Sequence, residues 1–78
     1  MSNLQKYEEA FIKTFGVSQD QLAGLKYQGI ISWDSVGHMS LVAALEATFD
    51  IMFDTEDIIA ISSFEQGKVI LKKYNVFI

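Results

Sequence analysis

The sequence predicts an all-α protein: a small four-helix bundle with a short third helix and a long loop between helices I and II, in a single domain of residues 1–78. Three observations support this fold class. Apolar residues recur at the three-and-four spacing of one helical face. Serine and aspartate stand where helix caps are expected. The chain has no proline, and 50% of its residues are hydrophobic, which supplies a core.

The first helix is predicted from about residue 3 to residue 15. Ser2 and Gln5 have the spacing of a capping box, and Gly16 stands where a left-handed residue would end the helix. Four apolar side chains share one face of it and are expected to point inward: Leu4, Tyr7, Phe11 and Phe15.

Residues 16–33 sustain no helical period and are predicted to form a long loop. Ordering such a loop costs entropy, which burial of apolar anchors must offset. Six apolar residues are expected to be these anchors: Val17, Leu22, Leu25, Tyr27, Ile30 and Ile31. Ser18 and Gln21 can form one helical turn within the loop, and Trp33 is expected to fasten its end.

The second helix, predicted from about 35 to 49, is the most regular apolar stretch of the chain. Apolar residues at 36, 39, 42, 45 and 49 follow the spacing of one face, and Ser35 falls in the first turn. Simple core packing is expected for four of its side chains: Leu41, Val42, Leu45 and Phe49.

Two further helices complete the predicted bundle. Asp54 or Thr55 can cap a short third helix that ends near Ala60. The last helix is preceded by two overlapping capping boxes, one from Ser62 and one from Ser63. Its inner face is expected to hold Val69, Ile70, Leu71 and Tyr74.

Charge is distributed unevenly along the chain. All six basic residues are lysines, and none lies between Tyr27 and Gly67, a segment that carries seven acidic residues. This segment should repel nucleic acid, so no nucleic-acid partner is expected. It either steers the protein toward basic partner surfaces or is an ordinary solvated acidic face.

Composition also limits the class of protein. Without cysteine the chain has neither disulfides nor thiolate metal sites, which fits a reducing compartment. No apolar run approaches the roughly 18 residues of a membrane span, and the N-terminus lacks a signal-peptide core, so we expect a cytoplasmic protein with no membrane insertion. The acidic cluster around Asp54 lacks the ligand alternation of a calcium loop, so no specific metal site is expected.

Several segments resemble the acyl carrier protein family. The attachment motif of that family is matched by Asp34-Ser35-Val36, and the pattern that ends its second helix by Leu45-Glu46-Ala47-Thr48-Phe49. The likeness continues through residues 53–57 and 61–64. The resemblance implies that Ser35 carries 4'-phosphopantetheine, with Asp34 as the acidic residue before it.

The implied function is carriage of an acyl or aminoacyl group as a thioester on that arm, without catalysis by the protein itself. The thiol must belong to the arm because the chain encodes none. The implied partners are a phosphopantetheinyl transferase and the enzymes that load and transfer the acyl group, and we expect a monomer. Partner docking is expected on the second helix, at Val36, His38, Met39, Ala43 and Glu46.

This chain departs from the family pattern in ways that indicate a specialised carrier rather than one of primary fatty acid synthesis. Only Glu46 is acidic within the second helix, whereas Gly37, Ser40, Ala47 and Thr48 occupy positions that are often acidic in carriers of fatty acid synthesis. Phe53 and Ile58 are larger than the residues common there and are expected to shrink the acyl cavity. We therefore expect a short or polar cargo.

Two alternatives stay open on the residues alone. An Asp-Ser pair before an apolar run is also what an ordinary helix cap looks like, so the chain could be a helical interaction module that is not phosphopantetheinylated. Ser35 and His38, three residues apart on a helix, could also be an esterase nucleophile and base, although no oxyanion hole is evident. His38 is otherwise expected to be a solvated residue, or to contact the phosphate of the arm.

Overall fold

A computed structural model of the chain describes all 78 residues and confirms an all-helical fold without strands. The four helices are α1 (Asn3–Phe15), α2 (Ser35–Phe49), α3 (Thr55–Ala60) and α4 (Phe64–Lys72). A short 3-10 turn, Gln19–Gln21, lies in the loop between α1 and α2. None of the four helices combines the length and apolar character that a membrane span requires.

Helix α1 begins and ends as predicted because both of its caps form. The backbone N–H of Gln5 donates to Ser2 Oγ at 3.1 Å, and the Ser2 N–H donates to Gln5 Oε1 at 2.9 Å. Gly16 ends the helix with a positive φ of 69°. Tyr7, Phe11 and Phe15 are buried as expected, but Leu4, in the first turn, is exposed.

The loop after α1 is fastened to the core by both side chains and backbone. Val17, Leu22 and Leu25 are buried. The backbone N–H of Tyr27 donates to the Ser62 carbonyl at 2.9 Å, and that of Phe64 donates to the Leu25 carbonyl at 2.9 Å. These bonds tie the loop to the start of α4.

Two predicted anchors of this loop are exposed rather than buried. Tyr27 is 37% exposed. Ile31 is 97% exposed, whereas its neighbour Ile30 packs against the core. Trp33, two residues further on, is completely buried and fastens the end of the loop, as expected. Its ring stacks on that of Phe15 with centroids 5.0 Å apart.

Helix α2 packs on α1 through Leu41, Val42 and Leu45, which are all buried. Val36 and Met39 are 76% and 52% exposed, so the apolar stripe predicted from residue 36 does not form a single inner face. Val36 lies nine residues before Leu45, which is about two and a half helical turns. Its side chain therefore leaves the helix on the side opposite the core.

The last two helices are joined by polar contacts as well as by the core. Asp57 of α3 is buried and accepts hydrogen bonds from Lys73 Nζ at 2.6 Å and from Tyr74 Oη at 2.5 Å. Of the two serines predicted to cap α4, Ser63 is the N-cap, since the Gln66 N–H donates to Ser63 Oγ. The return bond from the Ser63 N–H to the Gln66 side chain is absent, so the predicted capping box is only half formed. Ile70 and Leu71 are buried as expected, but Val69 is exposed, so its predicted inward orientation was wrong.

Candidate functional site

Ser35 is the first residue of α2, and its side chain is exposed. The preceding residue, Asp34, is the N-cap, and its Oδ1 accepts a hydrogen bond from the Gly37 N–H at 2.8 Å. Trp33 is buried one residue earlier. The serine is therefore held between a buried aromatic anchor and a capped helix start, with its hydroxyl accessible from solvent.

The position of Ser35 suits a phosphate ester. The first N–H groups of a helix have no intrahelical partner, and the peptide dipoles leave partial positive charge at this end. A phosphodiester on Ser35 Oγ would carry its negative charge next to these groups. The residues present therefore fit the prosthetic group that the sequence resemblance implies.

A cavity of about 350 Å³ opens beside Ser35, between α2, α3 and the preceding loop. Its wall has no charged side chain and is mainly apolar, formed by Tyr27, Ser35, His38, Met39, Ile58, Ile59, Ile61 and Ser62. Burying an ammonium or carboxylate in such a wall would cost free energy because no partner of opposite charge is present. The wall is therefore better suited to an uncharged apolar group than to a charged one.

Of the two large residues expected to narrow this cavity, only Ile58 contributes to its wall. Phe53 is buried in the core instead, where its ring meets that of Tyr74 edge-on with centroids 5.1 Å apart. Sequence reasoning did not identify Tyr27 or Ser62 as part of the wall. The loop and the start of α4 bring them there through the backbone bonds between residues 25–27 and 62–64.

His38 is not the solvated residue that was expected. Its half-buried imidazole lies between the loop and α3, with Nδ1 3.0 Å from Trp33 Nε1 and Nε2 2.7 Å from the Ile58 carbonyl oxygen. Both ring nitrogens are therefore engaged by groups other than Ser35. The nucleophile and base pair considered for an esterase is not assembled.

The predicted docking residues separate into two groups. Val36, Met39 and Ala43 are exposed along α2. Glu46, in contrast, is half-buried, and its Oε2 accepts a hydrogen bond from the backbone N–H of Phe53 at 3.0 Å. Glu46 thus stabilises the turn between α2 and α3, and its docking role stays a prediction, as does that of His38.

Helix α3, which supplies Ile58 and Ile59 to the cavity wall, is fixed from the α4 side by Asp57. Hydrogen bonds from Lys73 and Tyr74 hold the pKa of the Asp57 carboxyl below its ordinary value. The hydrogen bond between Lys73 and Asp57 also raises the pKa of the Lys73 ammonium group. No three acidic or histidine side chains lie close enough together to hold a metal ion.

Comparison of the chain with protein-family models, with curated proteins and with solved structures found no match.

Proposed function

We propose that this protein is a carrier that holds an acyl group as a thioester on a 4'-phosphopantetheine arm attached to Ser35. The observation that carries the proposal is an exposed serine at the first position of α2, on the edge of an uncharged cavity. The resemblance of residues 34–36 and 45–49 to the acyl carrier protein family supports the same assignment.

The attachment reaction needs little from the carrier itself. In a transferase active site, Ser35 Oγ attacks the β-phosphorus of coenzyme A, so that a serine O–P bond forms. The phosphoanhydride bond breaks, 3',5'-adenosine bisphosphate leaves, and the serine proton passes to a base of the transferase. This chain contributes an accessible hydroxyl and a helix start that favours the negative phosphodiester. Once attached, the arm supplies the thiol that holds the cargo.

The wall of the cavity supports an apolar acyl group as cargo rather than an aminoacyl group. Ile58, Ile59 and Ile61 line it, and no carboxylate in the wall could pair with an amino group. The arm would bring the first carbons of an acyl chain against these side chains. Burial of apolar surface there would protect the thioester from water.

The partners we propose are a phosphopantetheinyl transferase and the enzymes that load and unload the arm, in the cytoplasm. On α2 the exposed side chains next to Ser35 are apolar, and the only acidic side chain within the helix is already bonded to Phe53. Contact with these enzymes would therefore depend on Val36 and Met39 more than on acidic residues. This supports a dedicated carrier of a specialised pathway.

Coexpression with a transferase of broad specificity tests the proposal directly. Intact-mass measurement of the purified wild-type chain should show the gain of one phosphopantetheinyl group. Ser35→Ala should abolish that gain. Ser62→Ala is the matched control, because Ser62 is also exposed and lies on the same cavity, and it should be modified like the wild type. An unmodified wild-type chain, or modification that persists in Ser35→Ala, would contradict the assignment.

A helical interaction module without the arm is the second candidate. It is favoured by the capping bond of Asp34, which accounts for the Asp-Ser pair without any modification, and by the exposed Val36 and Met39. In that case the chain isolated from its own cells would have its unmodified mass, and partner binding would be unaffected by Ser35→Ala.

A further inference from the structure

The two hydrogen bonds of His38 define its protonation state. The indole N–H of Trp33 can only donate, so Nδ1 of His38 must accept and carry no proton. The carbonyl oxygen of Ile58 can only accept, so Nε2 must carry the proton. The structure is therefore satisfied by the neutral Nε2–H tautomer alone.

The carbonyl that His38 binds belongs to the last turn of α3. This helix ends at Ala60, so the Ile58 carbonyl has no backbone N–H partner one turn further on. The His38 imidazole, which belongs to α2, donates to this carbonyl in place of the missing backbone N–H. On the opposite side α3 is held to α4 by Asp57, through Lys73 and Tyr74. A six-residue helix is thus fixed by the His38 contact on one side and by the two hydrogen bonds of Asp57 on the other, and between them lies part of the cavity wall.

We propose that neutral His38 is a positioning residue that ties α3 to Trp33 beside Ser35, and that protonation of His38 breaks its bond to Trp33, so that the imidazole and α3 move away together and the cavity opens. Protonation would place an N–H on Nδ1, facing the indole N–H of Trp33. The Nδ1–H of His38 and the indole N–H of Trp33, both donors, would then face each other in place of the present hydrogen bond, and the Trp33 ring is completely buried. The bond to Ile58 could persist only if the imidazole moved away from Trp33 and drew α3 with it.

The charged and titratable groups around His38 do not offset this loss. In the loop, the Tyr27 ring meets the imidazole edge-on at 5.5 Å, and Lys26 is exposed. On α2, the Asp34 carboxylate binds the Gly37 N–H and Glu46 binds the Phe53 N–H. On α3, Asp57 is paired with Lys73, and Glu56 is exposed. His38 takes part in none of the ion pairs of the structure.

The opening of the cavity depends only on the fold. Its consequence would be acid-dependent exposure of an acyl group attached at Ser35, and this consequence rests on the proposed function. Both tests below therefore use the unmodified chain, in which Ser35 carries nothing. Failure of these tests would leave the attachment at Ser35 untouched, and failure of the attachment would leave the opening standing.

The first test is the tautomer. Long-range proton–nitrogen NMR spectra at about pH 7.5, where neutral histidine is accessible, should show an unprotonated Nδ1 and a protonated Nε2. The opposite tautomer, or an imidazolium at that pH, would overturn the proposal.

The second test is hydrogen exchange of the α3 amides at about pH 7.5 and about pH 5, the range over which histidine gains a proton. After correction for intrinsic exchange, protection of the Ile58 and Ile61 amides should fall by roughly tenfold at the lower pH, the effect of losing one buried hydrogen bond. Amides of α1 should keep their protection. A parallel loss in α1 and α3, or no loss in α3, would contradict the opening.

His38→Gln is the control variant, because a glutamine amide offers one acceptor and one donor but cannot be protonated in this range. Its α3 protection should not depend on pH. A second variant, Trp33→Phe, removes the opposing donor and keeps an aromatic ring. Its α3 protection should be lower than in the wild type at about pH 7.5 and should change little at about pH 5. The same pH response in wild type and both variants would overturn the role of His38.

Discussion

Gly37, in the first turn of α2, packs directly against the carbonyl group of Ser32. A Cβ atom at position 37 would overlap the Ser32 carbonyl oxygen and would lie 3.2 Å from the Phe15 ring. The Ser32 hydroxyl, in turn, donates to the Phe15 carbonyl at 3.2 Å. This close approach seats the end of the loop against α1 and α2, and so determines where Trp33, Asp34 and Ser35 lie.

Gly37→Ala should therefore destabilise the protein even though alanine favours helices. The added methyl group must displace backbone atoms rather than a flexible side chain, so we expect a loss of about 1–3 kcal/mol in the free energy of unfolding. Urea unfolding followed by circular dichroism measures it. Gly24→Ala is the control, since a Cβ there meets nothing within 4 Å. Equal stability of the two variants would contradict the predicted clash.

Tyr7 and Gly67 should show strong energetic coupling. The Tyr7 hydroxyl is buried, its pKa is raised by that burial, and it donates to the Phe64 carbonyl at 2.6 Å. A Cβ on Gly67 would overlap this hydroxyl oxygen. Tyr7→Phe should cost about 1 kcal/mol through the lost hydrogen bond, and Gly67→Ala about 1–3 kcal/mol through the clash.

The double variant is the decisive measurement of that pair. Removal of the hydroxyl makes room for the methyl group, so Tyr7→Phe with Gly67→Ala should be more stable than the sum of the two single losses by at least about 1 kcal/mol. Denaturant unfolding of all four proteins gives the coupling energy. Additive losses would show that the Gly67 methyl group is accommodated in some other way.

The Asp57 contacts should make stability depend on acid pH. The pKa of Asp57 in the folded state is lowered, first by the hydrogen bond from Lys73 and then by that from Tyr74. Its stabilising contribution is therefore complete above the unfolded pKa of about 4 and is lost as pH falls through the folded value. The unfolding midpoint of Asp57→Asn should lie below that of the wild type at about pH 7, and the difference should shrink as the pH is lowered below the ordinary aspartate pKa of about 4.

Asp54→Asn is the control for this pH dependence. Asp54 is the N-cap of the same helix, but its side chain makes no capping hydrogen bond, so asparagine should be tolerated there. If the difference in unfolding midpoint between Asp57→Asn and the wild type did not change with pH, the contacts with Lys73 and Tyr74 would not depend on the charge of the Asp57 carboxylate.

The exposed Val36 should matter for partner recognition and not for folding. It follows Ser35 directly and is 76% exposed. Val36→Asp adds a negative charge in the first turn of α2, where the helix dipole tolerates it, so the free energy of unfolding should change by less than about 0.5 kcal/mol. The rate of phosphopantetheinylation should fall by roughly tenfold or more if apolar contact dominates docking.

Met52→Asp is the matched control for Val36. Met52 is 82% exposed but follows the far end of α2, and the 15 residues of that helix span about 22 Å. Its modification rate should equal that of the wild type. A similar fall in both variants would indicate a general effect of negative charge rather than a local apolar contact.

The sequence was sufficient to predict where all four helices begin and where the first three end, whereas Tyr74, expected on the last helix, lies beyond its end at Lys72. Ser2, Gly16, Asp34 and Ser63 act on backbone groups within a few residues of themselves, and all four occupy the cap positions expected of them. The place of Ser35 at the start of α2 also follows from this local geometry. Its exposure does not, because Phe64, the first residue of the capped α4, is buried.

The sequence was less informative about which side chains face the core. Val36, Val69 and Ile31 are as apolar as their buried neighbours, yet all three are exposed. His38 and Glu46 were expected on the outer surface, but each turns to a backbone group of a later segment, at Ile58 and Phe53. Periodicity alone places residues relative to one another on a helix and does not say which side another helix will cover.

The amino-acid sequence by itself thus determined the all-helical fold, the helix starts and the serine at the start of α2, since capping and backbone preferences act between residues close in the chain. Only the tertiary structure decided the mainly apolar cavity beside Ser35, the two hydrogen bonds of the His38 ring and the close approach of Gly37 to Ser32. Each of these depends on groups that are distant in sequence, or in a separate loop, and meet only when the bundle packs.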